Sequence, residues 1–165
     1  MATTYDPIAT TTLGSAASSI TFSSIPSTYT DLRLVLIGGT SSTADVKLQF
    51  NLDTATNYSY TTLVGDGTTA YSQSFTNAAY INCDDYWGIP ANGQAMLALD
   101  VFSYAGSTYK TTLVTIAADK NGSGTSERRV GLWRSTSAIT TIKFTPTAGN
   151  FTTGTTATLY GIKAA

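Results

Sequence analysis

An all-β, jelly-roll-like antiparallel sandwich with Greek-key connections and very little helix is the fold class that this 165-residue sequence predicts. Three observations predict it. Apolar side chains alternate with a period of two in short runs, and turn-forming residues separate the runs. The chain also holds 32 Thr, 17 Ser and 10 Tyr, residues that favour pleated strands and hydroxyl-capped turns. No long stretch shows the i, i+3, i+4, i+7 apolar stripe of a helix, so helix content is predicted below about 10%.

The elements follow in order. The segment 1–17, uncharged except for Asp6, reads as an extended N-terminal arm laid on a neighbour, and 18–165 as a single sandwich domain. Strands are predicted near Ser19–Ser24, Asp31–Ile37, Val46–Phe50, Tyr58–Val64, Thr69–Phe75 and Ala78–Cys83. Five more fall near Ala95–Phe102, Thr108–Ala118, Arg128–Arg134, Ile139–Phe144 and Thr156–Lys163. In Asp31–Ile37, leucines 32, 34 and 36 share one face and Arg33, Val35 and Ile37 the other, the pattern of a central strand covered at least partly on both sides. Gly38-Gly39, Gly65-Asp66-Gly67, Ala91-Asn92-Gly93, Ala105-Gly106-Ser107, Asn121-Gly122-Ser123-Gly124 and Gly149-Asn150 supply the turns. Loops of unequal length fit Greek-key crossings better than a meander barrel.

Composition excludes several function classes. Charged residues are 12% of the chain and the net charge is −1, so no positive field attracts a nucleic-acid backbone. Nowhere do 18 apolar residues run together, and Met1–Tyr5 opens no basic-then-apolar leader, which predicts neither a membrane span nor a secretory signal. The chain has no histidine, which removes Ser-His-Asp and Cys-His catalysis and every His-ligated metal site. No cofactor is expected. The single cysteine, Cys83, makes no intramolecular disulfide and reads as a small core residue beside Ile81.

Few groups are left to carry chemistry. Asp84-Asp85, followed by Tyr86-Trp87, could be a carboxylate pair beside a sugar platform, but adjacent residues at a strand end diverge, and a surface turn with an aromatic anchor is the preferred reading. Oxygen-rich loops at Asp53, Asn57 and Asp66 match no known calcium-loop spacing and read as solvated turns. Glu127-Arg128-Arg129 with Arg134 is the one basic concentration; Arg128, Arg129 and Arg134 with Trp133 make the candidate partner interface, because Arg and Trp are enriched at interface hot spots, and a salt-bridged exposed strand is the equal alternative. Alternation puts Arg128 and Arg134 on one face, Arg129 and Trp133 on the other.

Several segments, in order, resemble a group of small bacteriophage virion structural proteins, found as head decoration or cement proteins and as tail-fibre or adhesin domains. Ser19–Leu34, with its strand, Ile25-Pro26 turn and second strand, resembles the group's opening. Phe50-Asn51-Leu52-Asp53 followed by Asn57-Tyr58 resembles its "FN-x-D…NY" segment. Gly131-Leu132-Trp133, Ala138–Ile142, Asn150-Phe151 and the ending Leu159-Tyr160-Gly161-Ile162-Lys163 resemble its last third. The match is weakest over about Thr68–Gln94.

The resemblance implies a virion-surface protein without catalytic residues, assembled in the host bacterial cytoplasm, and a homotrimer. The first expectation is a capsid decoration protein clamping neighbouring copies of the major capsid protein, since a hydroxyl-rich, weakly charged surface makes broad contacts without desolvating many ions. The alternative is a tail-fibre or tail-tip adhesin, joined to other tail proteins and binding a host surface glycan through Tyr86, Trp87, Tyr104 and Tyr109. A depolymerase would rest on Asp84-Asp85 alone.

Overall fold

The computed structural model describes residues 4–84, 94–119 and 122–163. Twelve strands run in the order β1 (Tyr5–Thr12), β2 (Ile20–Phe22), β3 (Asp31–Gly38), β4 (Val46–Phe50), β5 (Tyr58–Gly65), β6 (Ala70–Ala78), β7 (Ile81–Asn82), β8 (Ala95–Val101), β9 (Lys110–Ala118), β10 (Thr125–Trp133), β11 (Ile142–Pro146) and β12 (Thr156–Ile162). Among the described residues there is no helix. Eight strands form one antiparallel sheet, β1-β12-β3-β8-β9-β10-β5-β6, and four form the other, β2-β11-β4-β7. The two sheets pack as a sandwich, the predicted class, with β2, β4, β7 and β11 each carrying the chain across to the smaller sheet. The strands β8, β9 and β10 form a local meander within the eight-stranded sheet.

Alternation explains which side chains fill the core. Leucines 32, 34 and 36 of β3, Leu97, Leu99 and Val101 of β8, and Val114 and Ile116 of β9 point inward from the large sheet. Val46, Leu48 and Phe50 of β4, with Ile142 and Phe144 of β11, meet them from the small sheet. Each such side chain contributes about 1.5–3 kcal/mol on leaving water. Cys83 is buried as expected.

Residues 5–12, set apart in sequence as part of an arm, instead form β1 and pair with β12 at the edge of the large sheet. The pairing exploits hydroxyls: Thr10 bonds Thr158 and Thr12 bonds Thr156, both at 3.1 Å. Only Ile8 and the following Leu13 pack against the core from this segment, so its apolar beat is faint.

Segments far apart in sequence converge at two places. Asn51, at φ 51°, donates from Nδ2 to Ala138 O and accepts at Oδ1 from the N–H groups of Thr140 and Thr141. The clamp takes the N–H groups of Thr140 and Thr141, and β11 starts after them, at Ile142 and not at Ile139. Beside it, the Asp53 carboxylate accepts from Trp133 Nε1 at 2.7 Å, Asn57 Nδ2 at 3.0 Å and Ala55 N at 2.9 Å. Burial pushes the Asp53 pKa up, but these three bonds together outweigh it and hold the carboxyl below its ordinary value.

The second convergence joins Tyr29 to the C-terminal strand. Gly161 lies against the Tyr29 ring so closely that a Cβ there would overlap Tyr29 Cγ. Gly161→Ala is therefore expected to destabilise the fold by about 1–3 kcal/mol through overpacking, read as a lowered urea midpoint. An unchanged midpoint would show that Tyr29 gives way freely.

Candidate attachment surface

Strand β10 divides the four residues of the basic concentration between two environments. Glu127, Arg129, Gly131 and Trp133 face the sandwich interior, while Ser126, Arg128 and Val130 face solvent. Arg129 is 1% exposed and Trp133 3%, so neither belongs to a partner interface, and that expectation is corrected. Both side chains meet polar partners inside: Arg129 Nη2 meets Glu127 Oε2 at 2.7 Å, its Nη1 donates to Asn82 O at 3.3 Å, and the Trp133 indole donates to Asp53. Alternation separated the two pairs correctly; it could not say which pair faced the core. The sequence held one signal, Glu127-x-Arg129, an opposite-charge pair two residues apart and hence on one face of a strand.

The acidic pair is likewise internal at its first member. Asp84 is buried, not part of a solvated turn, and its negative charge acts on the adjacent Cys83. Burial first, then the Asp84 charge, pushes the Cys83 thiol well above its ordinary range, with Arg129 partly opposing. A thiol held so is a poor nucleophile. Asp85 lies outside the described residues. Among those described, no group of three or more Cys, Asp or Glu side chains is placed to hold a metal ion.

Loops once open to a calcium reading spend their oxygens on the chain itself. Asp66 accepts from the N–H groups and hydroxyls of both Thr68 and Thr69, and these bonds, Thr69 N first, lower its carboxyl pKa.

The aromatic candidates also divide. Tyr104 is fully buried, its hydroxyl donating to Pro26 O and accepting from Tyr29 N, which removes it from any glycan-facing set. Tyr109 is 54% exposed beside the start of β9. Tyr86 and Trp87 lie outside the described residues.

The outer face of the large sheet carries four of the exposed large hydrophobic residues, Ile37, Leu63, Met96 and Val130. Register defines its rows. One runs Thr10, Thr158, Val35, Ala98, Thr115, Arg128, Leu63 and Ser72 across all eight strands. The next holds Tyr160, the Arg33–Asp100 ion pair at 3.2 Å, Leu113, Val130, Thr61 and Ser74. Leu63 and Val130 are 57% and 53% exposed, and Ile37 and Met96 are adjacent exposed apolar residues farther along the same face. On the outer side of β3, expected to be at least partly covered, Arg33 and Val35 are half-buried and Ile37 is 43% exposed. A shallow depression of about 200 Å³ opens beside Val130, lined also by Ser59, Thr61, Ser74, Phe75 and Leu132.

Arg128 rises from this face between Thr115 and Leu63. Arg134 lies at the end of β10, half-buried and held by Thr56 O at 2.7 Å and Asn77 Oδ1 at 3.0 Å. The surface therefore offers aliphatic area ringed by threonine hydroxyls, with one free-standing arginine head and one neutralised ion pair. Exposed large aliphatics on a strand face desolvate cheaply and give a partner contact area.

No protein-family model matches the chain, and no curated protein matches it. Among solved structures it is similar to an exo-inulinase from Aspergillus awamori, at 13% identity and a TM-score of 0.42, over 96% of this chain and 29% of that one. It is also similar to the galectin LEC-6 from Caenorhabditis elegans, at 9% identity and a TM-score of 0.35, over 94% of this chain and 96% of that one. The chain thus spans less than a third of the inulinase's length.

Proposed function

We propose that this protein is a structural component of a bacteriophage particle, a decoration protein seated on the outer head surface against the major capsid protein. The observation that carries the reading is the outer face of the large sheet, with Leu63 and Val130 more than half exposed amid Thr61, Thr115 and Ser126. A capsid shell needs from such a protein broad contact and no chemistry. The resemblance of the sequence to virion proteins supplies the particle; the face supplies the means of attachment. Few ions on it need desolvating, so most of the contact area adds to affinity.

The double variant Leu63→Asp with Val130→Asp tests this. Both side chains are exposed, so its melting temperature is expected to stay within a few degrees of wild type, while co-sedimentation with undecorated phage heads falls at least about tenfold. Undiminished binding by a folded variant would remove this face from the contact. Antibody labelling of purified particles decides the location: signal over the head supports decoration. Signal at the tail tip would replace it with the adhesin reading, in which exposed Tyr109 and Phe102, at the two ends of the β8–β9 connection, are the sugar-stacking candidates.

A further inference from the structure

Two strands end the eight-stranded sheet, β1 and β6, and among the described residues each has a strand on one side only. An open edge is a row of backbone donors and acceptors ready to pair with another strand. The two edges are built differently. β1 carries Pro7, which has no N–H, a register shift between Pro7 and Ala9, and Asp6 in an ion pair with Lys163 at 2.6 Å. Proline, irregularity and charge are the devices that keep an edge unpaired.

β6 has none of them over its central run. It contains no proline, the chain carries no charge between Asp66 and Asp84, and the register against β5 is regular from Phe75 to Ala70. From Ser72 to Asn77 every residue is exposed, Phe75 resting one ring face on Tyr60, and among the described residues no strand pairs the outer edge.

The sequence of this strand identifies what fits. Tyr71-Ser72-Gln73-Ser74-Phe75 reads aromatic, Ser, Gln, Ser, aromatic in either direction about Gln73. A twofold contact requires such self-complementarity, because residue i must suit residue j and the reverse. With the axis at Gln73, an antiparallel pair sets Tyr71 opposite Phe75 of the second copy, Ser72 opposite its Ser74, and the two Gln73 amides opposite each other. Aromatic, hydroxyl and amide pairs are each favourable across strands.

We infer that β6 pairs antiparallel with β6 of a second copy, joining two eight-stranded sheets into one continuous sheet of sixteen about a twofold axis at Gln73. This twofold stands in place of the threefold association that the resemblance implies. It concerns self-association in solution and holds or fails independently of where the protein sits on a particle.

Two measurements test it. The wild-type chain of 17.3 kDa is expected to show the mass of two chains by light scattering. Gln73→Cys is expected to give a disulfide-linked dimer on a non-reducing gel after mild oxidation, since directly opposed strand residues have Cα atoms about 4.5–5.5 Å apart, within disulfide reach. Cys83 is buried and does not compete. Ser72→Lys with Ser74→Lys places lysine opposite lysine at both flanking pairs and is expected to return the protein to one chain with its melting curve intact. A wild-type mass of one or three chains, or a Gln73→Cys protein that stays uncrosslinked, would overturn the pairing.

Discussion

Arg129→Met is expected to destabilise the protein by about 3–5 kcal/mol, a large part of the 5–15 kcal/mol typical of a domain. The reason lies in the chain's only glutamate. Glu127 projects into the sandwich between Val64 and Ile116, its side chain 0% exposed, with Oε2 on Arg129 Nη2 and Oε1 without a hydrogen-bond partner among the described residues. Removing the guanidinium leaves that carboxylate buried with no cation beside it. The attraction lost is only part of the cost; the larger part is the unpaid desolvation of Glu127. Glu127→Leu combined with Arg129→Met therefore should recover part of the loss, because valine and isoleucine flank the position on both neighbouring strands, while the buried Asp84 keeps its charge. Urea denaturation of the two variants checks this. A single variant as stable as wild type, or a double variant no better than the single, would show that the pair does not hold the interior in this way.

Trp133→Ala should cost a similar amount, about 3–5 kcal/mol, as the loss of a large buried ring. The indole packs 5.7 Å from the Phe50 ring and stacks on Tyr58 at 6.3 Å, and burial pushes the Tyr58 hydroxyl well above its ordinary pKa. Trp133→Phe separates packing from polarity: it keeps an aromatic ring and removes the N–H that reaches Asp53, for an expected loss of about 1–3 kcal/mol. The two proteins should also differ in acid. Asp53 has a folded pKa below its unfolded one, so its contribution is complete above about pH 4 and is lost as the pH falls through the folded value. Without the Trp133 bond the Asp53 pKa moves back up, and the stability of Trp133→Phe should fall less steeply below about pH 4 than that of wild type. Urea midpoints measured on either side of that pH test the slope; parallel curves would mean that Trp133 does not depress Asp53.

Most of the sheet was legible because period-two alternation is local. All eleven segments read as strands are strands, and the alternation of Val46, Leu48 and Phe50 predicted their burial. The missed strand, β1, pairs through Thr10 and Thr12 and contributes little apolar surface, so its register depends on β12, almost the whole chain away. The candidate surface was half legible. Arg128 and Tyr109 are exposed, but Arg129, Trp133 and Tyr104 are not. Their long or polar side chains suggested surface only because the partners that satisfy them, Asn82, Asp53 and Pro26, come from other elements.

By itself the sequence determined the fold class, eleven of the twelve strand segments and the absence of histidine chemistry, since each follows from residue type and near-neighbour spacing. Tertiary structure alone decided which face of β10 meets the core, which polar groups are enclosed and which strands end the large sheet. Those outcomes depend on pairings between residues distant in the chain, and a side chain's environment is a property of its neighbours in space.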